Sequence, residues 1–176
     1  MVCGPLNFKI ERGGCVALCG RNGCGKSSVL KLVAGKDVPH EGILRTGSGL
    51  RISYVPQEVS FLSGDLKEFA EKRRIEEPLF KAILRKLDFS RIQFEKNMEE
   101  YSAGQKKKVL LAASLSQQAH LYIWDEPMNY IDIFSRGQIA GLIQKYSPTM
   151  LLVEHDRAFA ESVSTRRIYL SSRSSD

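Results

Sequence analysis

Apolar positions along the chain fall into short unbroken or alternating runs, separated by polar turns and by longer stretches with helical spacing. Leu6 to Ile10 alternates and predicts a short strand, and Glu11-Arg12-Gly13-Gly14 a turn. The wholly apolar Cys15 to Cys19 predicts a second strand, and a loop with glycines at 20, 23 and 25 follows. From about Lys26, the positions Val29, Leu30, Leu32 and Val33 form one face of a helix that Gly35 stops. Residues 36–49 are rich in Gly, Pro, His and Thr and predict loops with at most one short strand. Arg51 to Val55 alternates as a strand and ends at Pro56.

Between Ser63 and Glu100 the pattern turns helical and charged. Leu66, Phe69 and Ala70 recur behind Ser63 and Asp65 as caps, and Leu79, Phe80, Ile83, Leu84 and Leu87 form a second stripe. This stretch reads as a small helical subdomain, residues 58–100, inserted into an α/β core of residues 1–57 and 101–176. The core continues with a helix from Lys106 to about Gln118, a strand at Leu121–Trp124 and a helix marked by Ile139, Leu142 and Ile143. Strands at Met150–Val153 and Arg167–Leu170 complete it, and Ser171–Asp176 reads as a frayed tail.

Composition narrows the class. With 43% hydrophobic and 26% charged residues the 176-residue chain fits one soluble globular domain and not a disordered segment. No apolar run approaches the roughly 18 residues of a membrane span, and the start shows no signal peptide, so a cytoplasmic location is expected. A net charge of +6 favours a polyanionic partner such as nucleic acid, ribosome or nucleotide. Cys3, Cys15, Cys19 and Cys24 lack C-x-x-C spacing, and His40, His120 and His155 are scattered. Incidental reduced thiols are therefore the reading, not a zinc site or a disulfide framework.

Chemistry enters at Gly20-Arg21-Asn22-Gly23-Cys24-Gly25-Lys26-Ser27, which is G-x-x-x-x-G-K-S between an apolar strand and a helix. Its backbone N–H groups would converge on phosphates at the helix N-terminus, with Ser28 following. Lys26 would hold the β- and γ-phosphates and the Ser27 hydroxyl would ligate Mg²⁺. The strand Leu121–Trp124 ends in Asp125 and Glu126. Two acids there suit a carboxylate in the metal shell and a general base facing the γ-phosphate, although strand-end acids are common by themselves. Gln57 and His155 each follow a strand and sit where a ligand at the carboxyl edge of a parallel sheet lies. Taken singly, they read as a polar loop residue and a surface histidine. Tyr101-Ser102-Ala103-Gly104-Gln105 is a small glycine-bearing turn before a helix, an anion site suited to a partner's nucleotide. Lys106, Lys107 and Lys108 after it either solvate a helix face or touch nucleic acid.

In this order, these motifs resemble the nucleotide-binding domain of ATP-binding-cassette proteins. Gly20–Ser27 resembles the Walker A loop, Gln57 the Q-loop glutamine, and Ser102–Gln105 the signature motif. Leu121–Glu126 is similar to Walker B, Pro127–Asp132 to the D-loop, and His155 to the switch histidine. The resemblance spans about Leu6 to Leu170. It implies a P-loop core with a mixed, mainly parallel sheet, flanking helices and an inserted helical subdomain. It also implies ATP and Mg²⁺ as ligands, held at Ser27, Gln57 and Asp125 for the metal, and hydrolysis with Glu126, His155 and Gln57 as catalytic residues. A second cassette, head to tail, would supply Ser102, Gly104 and Gln105 to that ATP.

The runs Asp125–Asp132, His155-Asp156-Arg157 and Gln105–Lys108 are similar to the F subfamily, soluble ATPases that act on ribosomes. Within it, Tyr101–Gln105, Tyr122–Glu126 and Glu154–Arg157 look most like the second cassette of antibiotic-resistance members, which implies the ribosome and its RNA as partners. Three departures stand out. No aromatic precedes Leu6–Ile10 to stack on adenine, Ala103 replaces the usual signature glycine, and one cassette is present without the long charged linker of that group. A C-terminal half of a longer protein is the resulting expectation. The alternatives are the ATPase subunit of a membrane transporter and a nucleotide-binding fragment without turnover of its own. A DNA-repair ATPase fits less well, because the stretch from Gln57 to Tyr101 is too short for its coiled coil.

Overall fold

The apolar runs become five strands of one sheet: β1 (Cys15–Cys19), β2 (Ile52–Val55), β3 (Leu121–Asp125), β4 (Met150–Val153) and β5 (Arg166–Tyr169). Their spatial order is β2-β3-β4-β1-β5 in the computed structural model, which describes residues 3–171. All four neighbouring pairs run parallel, with Val16 beside Leu151 and Tyr122 beside Met150 in register. A parallel sheet must be covered on both faces, which is why β1 and β4 are apolar at every position instead of alternating.

The two faces carry separate apolar clusters. On one, Val16, Leu18, Leu121, Ile123, Leu151 and Val153 pack against α1 (Lys26–Val33) through Leu30. On the other, Ala17, Val55, Trp124, Met150 and Leu152 join a larger cluster. Its helices are α2 (Leu66–Lys72), α3 (Glu77–Lys86), α4 (Ala103–Ser116), α5 (Ile133–Tyr146) and α6 (Arg157–Val163). Between β2 and α4, therefore, the chain is helical, with α2 capped by the Asp65 carboxylate on Glu68 N at 2.7 Å. Tyr101 pins this stretch to α4 by donating its hydroxyl to the Gln93 carbonyl.

Several expectations need correction. Leu6, Phe8 and Ile10 do lie together against the α1-side cluster, but residues 6–10 form no strand, because no neighbouring segment among the described residues offers a ladder. The antiparallel component of a mixed sheet is accordingly not seen among the described residues. Residues 36–49 are irregular and mostly exposed, without a strand. Helix α4 begins at Ala103, three residues before the expected Lys106, because Ser102 and Gln105 start it with a reciprocal capping box. Of the expected tail, residues 172–176 lie outside the described residues.

The lysine run is the largest correction. Lys107 is 0% exposed and Lys108 9% exposed, so neither solvates a helix face nor is available to nucleic acid. Helix α4 is covered by α3, β2 and its own turn. A cation on it therefore needs partners, and both lysines have them. The cysteines are free thiols. Cys15 and Cys24 sit in the two cores, and burial pushes the Cys15 thiol up to about 12.

Candidate functional site

Because every strand points the same way, the residues following β1, β2, β3 and β4 meet at one carboxyl edge. After β1 the chain makes a tight loop and enters α1. Gly25, the residue before the helix, has φ +96° and no side chain caps the helix, so the first-turn N–H groups stay free. Gly20 cannot be replaced cheaply, since a Cβ there would lie 2.8 Å from both the Leu170 carbonyl oxygen and Cys24 Sγ. Lys26 is buried, and its ammonium donates to the Gly20 and Arg21 carbonyls at 3.0 Å each, curled back over its own loop. Arg21, Asn22 and Gly23 are exposed at the loop's crest, and Ser28 is exposed beside it.

Asp125 ends β3, 1% exposed, and accepts a hydrogen bond from Ser27 Oγ at 3.1 Å. Burial raises its carboxyl above the usual range, with the Ser27 bond opposing and the neighbouring Glu126 adding to the rise. Glu126 follows with φ +48°, a left-handed conformation that costs a non-glycine residue about 1 kcal/mol or more. That turn, fixed by Glu126 N donating to the Val153 carbonyl at 2.9 Å, sends the carboxylate back across the edge. There three side chains hold it. Gln57 Nε2 donates to Oε2 at 2.9 Å, Asn129 Nδ2 donates to Oε2 at 2.6 Å, and His155 Nε2 lies 3.1 Å from Oε1.

Ser27, Gln57 and Asp125 border a cavity of about 470 Å³, together with Tyr54, Ala103 and Tyr130. A hydroxyl, a carboxamide and a buried carboxylate are hard oxygen donors, the set that a small divalent cation such as Mg²⁺ takes. The open α1 terminus and the buried Lys26 suit the phosphates of a nucleotide. The residues present therefore fit both ligands chemically.

The Ser102–Gln105 turn borders the same edge but is closed on itself. Ser102 Oγ accepts from Gln105 N at 3.2 Å, and Gln105 Oε1 accepts from Ser102 N at 2.9 Å. Gly104 is pressed against the next loop, where a Cβ would meet the Tyr130 carbonyl oxygen at 2.5 Å. Lys108 reaches Asp132 at 2.6 Å, and Asp132 in turn caps α5 through Ser135 N at 2.8 Å. Partial burial would raise the Asp132 carboxyl, but the bonds from Lys108 and Ser135 outweigh it and hold the group well below the usual carboxylate range.

Sequence reasoning passed over four supporting residues. Asn129 is the third residue on from Glu126 and shares its oxygen with Gln57. Glu154 accepts from Met128 N at 3.0 Å and from His155 N at 2.7 Å, joining the β3 and β4 exits. Arg136 ties the loop after Glu126 to Asp156 at 2.5 Å and to the Ile131 and Met128 carbonyls. Lys107 donates to the Pro56 and Gln57 carbonyls at 2.9 and 3.1 Å, fixing the turn that presents Gln57. Asn129 and Glu154 lie beside the acidic pair and the histidine, a positional hint. Lys107 offered none, because a lysine run ordinarily marks a wet surface.

Comparison with known proteins adds four likenesses. Residues 3–129 match the family described as ABC transporter. Over 171 residues the chain is 32% identical to the ribosome protection protein VmlR of Bacillus subtilis, covering 94% of this chain and 30% of that protein. It is 30% identical over 164 residues to the zinc import ATP-binding protein ZnuC of Wigglesworthia glossinidia brevipalpis, covering 86% of this chain and 68% of that one. Among solved structures, an archaeal ribosome recycling factor, aABCE1, crystallised with the ribosomal stalk protein aP1, superposes with a TM-score of 0.76 at 28% identity. That match covers 91% of this chain and 32% of the other. The chain thus spans about a third of the length of VmlR and of aABCE1. No helix among the described residues is long and apolar enough to cross a membrane.

Proposed function

The chain belongs to the ABC transporter family, and from that premise we propose that it is the ATP-binding and ATP-hydrolysing cassette of a cytoplasmic F-type protein that acts on the ribosome. The convergence of Gln57, Asn129 and His155 on the Glu126 carboxylate carries the catalytic half of this reading. The likeness to a ribosome protection protein supports the ribosomal half, and protection from antibiotics is part of the proposal.

In this reading residues 1–57 and 101–176 are the P-loop core and 58–100 a helical subdomain. The phosphates lie along Gly20–Ser28, and Lys26 exchanges its two loop carbonyls for the β- and γ-phosphate oxygens. Ser27, Asp125 and Gln57 hold Mg²⁺, which supplies positive charge beside the phosphates. Glu126 takes the proton of the attacking water, and Gln57 and His155 fix the direction of its carboxylate and register the γ-phosphate. A second cassette brings Ser102, Gly104 and Gln105 to the opposite side of the nucleotide.

Glu126→Gln tests the assignment. It keeps the size and the contacts of the side chain but removes the base. Turnover should fall by about a hundredfold or more while nucleotide affinity changes little. Unchanged turnover removes Glu126 from that role. The same variant in ATP and Mg²⁺ should associate by light scattering and sediment with 70S ribosomes. A second reading, the ATPase subunit of a membrane transporter, is favoured by ZnuC, most of whose length the chain covers. It predicts nucleotide-dependent association without ribosome sedimentation, and binding to membranes that hold a permease.

A further inference from the structure

Tyr54 stands on β2 with its ring against the apolar cluster under α1. Its hydroxyl oxygen is closed off from solvent and has no hydrogen-bond partner, the one buried side-chain polar atom in that condition among the described residues. A phenylalanine would fill the same space without leaving a polar atom unpaired, so the hydroxyl calls for a partner that arrives from outside. Tyr54 borders the cavity shared by Ser27, Gln57 and Asp125, with Lys31 from the next turn of α1 on the same wall. Burial and, secondarily, the Asp125 carboxylate push the phenol up to about 12, so it is neutral at ordinary pH.

Of the groups a nucleotide brings, the phosphates already have Lys26 and the free α1 N–H groups as donors. On the flank beside Asp125, waters held by a cation would present protons, and the Tyr54 oxygen joins the Asp125 carboxylate and the Gln57 carboxamide there as an acceptor for them. Cation-bound water is a strong donor, and a neutral buried phenol oxygen is an acceptor suited to it. We propose that the Tyr54 hydroxyl is a positioning group for the hydration shell of the divalent cation at Ser27 and Asp125, accepting a hydrogen bond from a cation-bound water. The inference rests on the nucleotide-binding reading above.

The test compares the whole chain with Tyr54→Phe, using a fluorescent ATP analogue in EDTA and across a Mg²⁺ titration. In EDTA the two should bind nucleotide within about twofold of each other. The Mg²⁺ concentration for half-maximal tightening should rise about five- to tenfold in the variant. An unchanged Mg²⁺ requirement overturns the inference. So does an equal loss of affinity with and without Mg²⁺, which would put the hydroxyl on a phosphate or assign it a packing role. If wild type binds no nucleotide, the nucleotide-binding reading falls as well; if it binds and responds to Mg²⁺ as the variant does, only the inference falls. Should Tyr54→Phe fail to fold, the chain labelled with ¹³C at tyrosine Cζ answers instead. With Tyr130→Phe removing the other tyrosine at the cavity, one Cζ resonance should shift when Mg²⁺ joins the ADP complex. No such shift overturns the inference.

Discussion

Two helix starts face the same edge of this molecule, and they are built in opposite ways. At α1 the residue before the helix is a left-handed glycine, no side chain caps the helix, and among the described residues Lys26 bonds only to carbonyls of its own loop. At α4, Ser102 and Gln105 satisfy each other's backbone N–H groups before any ligand comes. Both turns are short, polar and rich in small residues, and in the sequence both read as anion sites. The difference lies in what a ligand must displace. An anion at α1 meets unpaired donors and an available ammonium, whereas one at α4 must first break two hydrogen bonds for similar ones, with little net gain. The first edge is suited to hold a nucleotide within one chain. The second is suited to close on a nucleotide already held elsewhere, which is the arrangement a second cassette would bring.

The comparison breaks or stands most sharply on a pair of substitutions. Lys26→Met should weaken nucleotide binding by about a hundredfold, equivalent to about 2.7 kcal/mol, because it removes the buried ammonium that the loop carbonyls hold ready for phosphate oxygens. Ser102→Ala should leave the nucleotide affinity of the single chain within about twofold. It should lower stability by about 1 kcal/mol in urea unfolding, the ordinary cost of a lost cap. Comparable losses of affinity in the two variants would erase the distinction between the edges.

Much of the first edge was legible in the sequence, and the reason is physical. A phosphate loop is made by backbone, so its glycines and its lysine must appear at fixed spacing, and parallel strands must be continuously apolar. That Ser27, Gln57, Asp125, Glu126 and His155 lie at one edge is expected from the sequence, because strand ends converge in a parallel sheet, but the direct bonds of Asp125 to Ser27 and of Glu126 to Gln57 and His155 are not. The left-handed turn at Glu126 that makes the latter possible left no mark in composition. The second edge was half legible. The S-x-x-Q pattern of Ser102 and Gln105 is also a capping signal, and reading it only as an anion site moved the start of α4 to Lys106. Leu6–Ile10 alternates as a strand should, yet alternation records which side faces the core and cannot record whether another strand lies alongside. The lysines fared worst, since burial of a charge depends on partners brought from distant positions, here Pro56, Gln57 and Asp132.

Lys107 offers the next test, because it links the two edges. It lies one turn into α4 and its ammonium grips the turn carrying Gln57. Burial lowers its affinity for a proton, opposed by the carboxylates of Asp125, Glu126, Glu154 and Glu58. Lys107→Met preserves the stem and strips two carbonyls of their donor, so stability should fall by about 1–3 kcal/mol in urea unfolding. Lys106→Met, on the partly exposed neighbour, should stay within about 0.5 kcal/mol. If the two variants unfolded alike, Lys107 would not be the tie between α4 and the Gln57 turn.

The smallest effect expected is also the one that depends on pH. Asp132 belongs wholly to the second edge, joining Lys108 of α4 to the start of α5. Its folded-state carboxyl is held below the usual range, so the folded protein prefers the ionised form more strongly than the unfolded chain does. The stability this adds is complete above the unfolded carboxylate pKa of about 3.9 and is lost as pH falls through the folded value. Asp132→Asn keeps an oxygen to cap Ser135 N but abolishes the ion pair. With the Asp132 side chain 44% exposed, water screens that pair, and the loss should stay below about 1 kcal/mol. The urea midpoints of wild type and variant should therefore differ by a constant amount between about pH 7 and 5, and approach each other as the pH falls below about 4. Nucleotide affinity should be unaffected, since the first edge does not contain this residue. A stability gap that persists unchanged into acid would mean that Asp132 acts through shape and not charge, and that α4 and α5 are joined by packing alone.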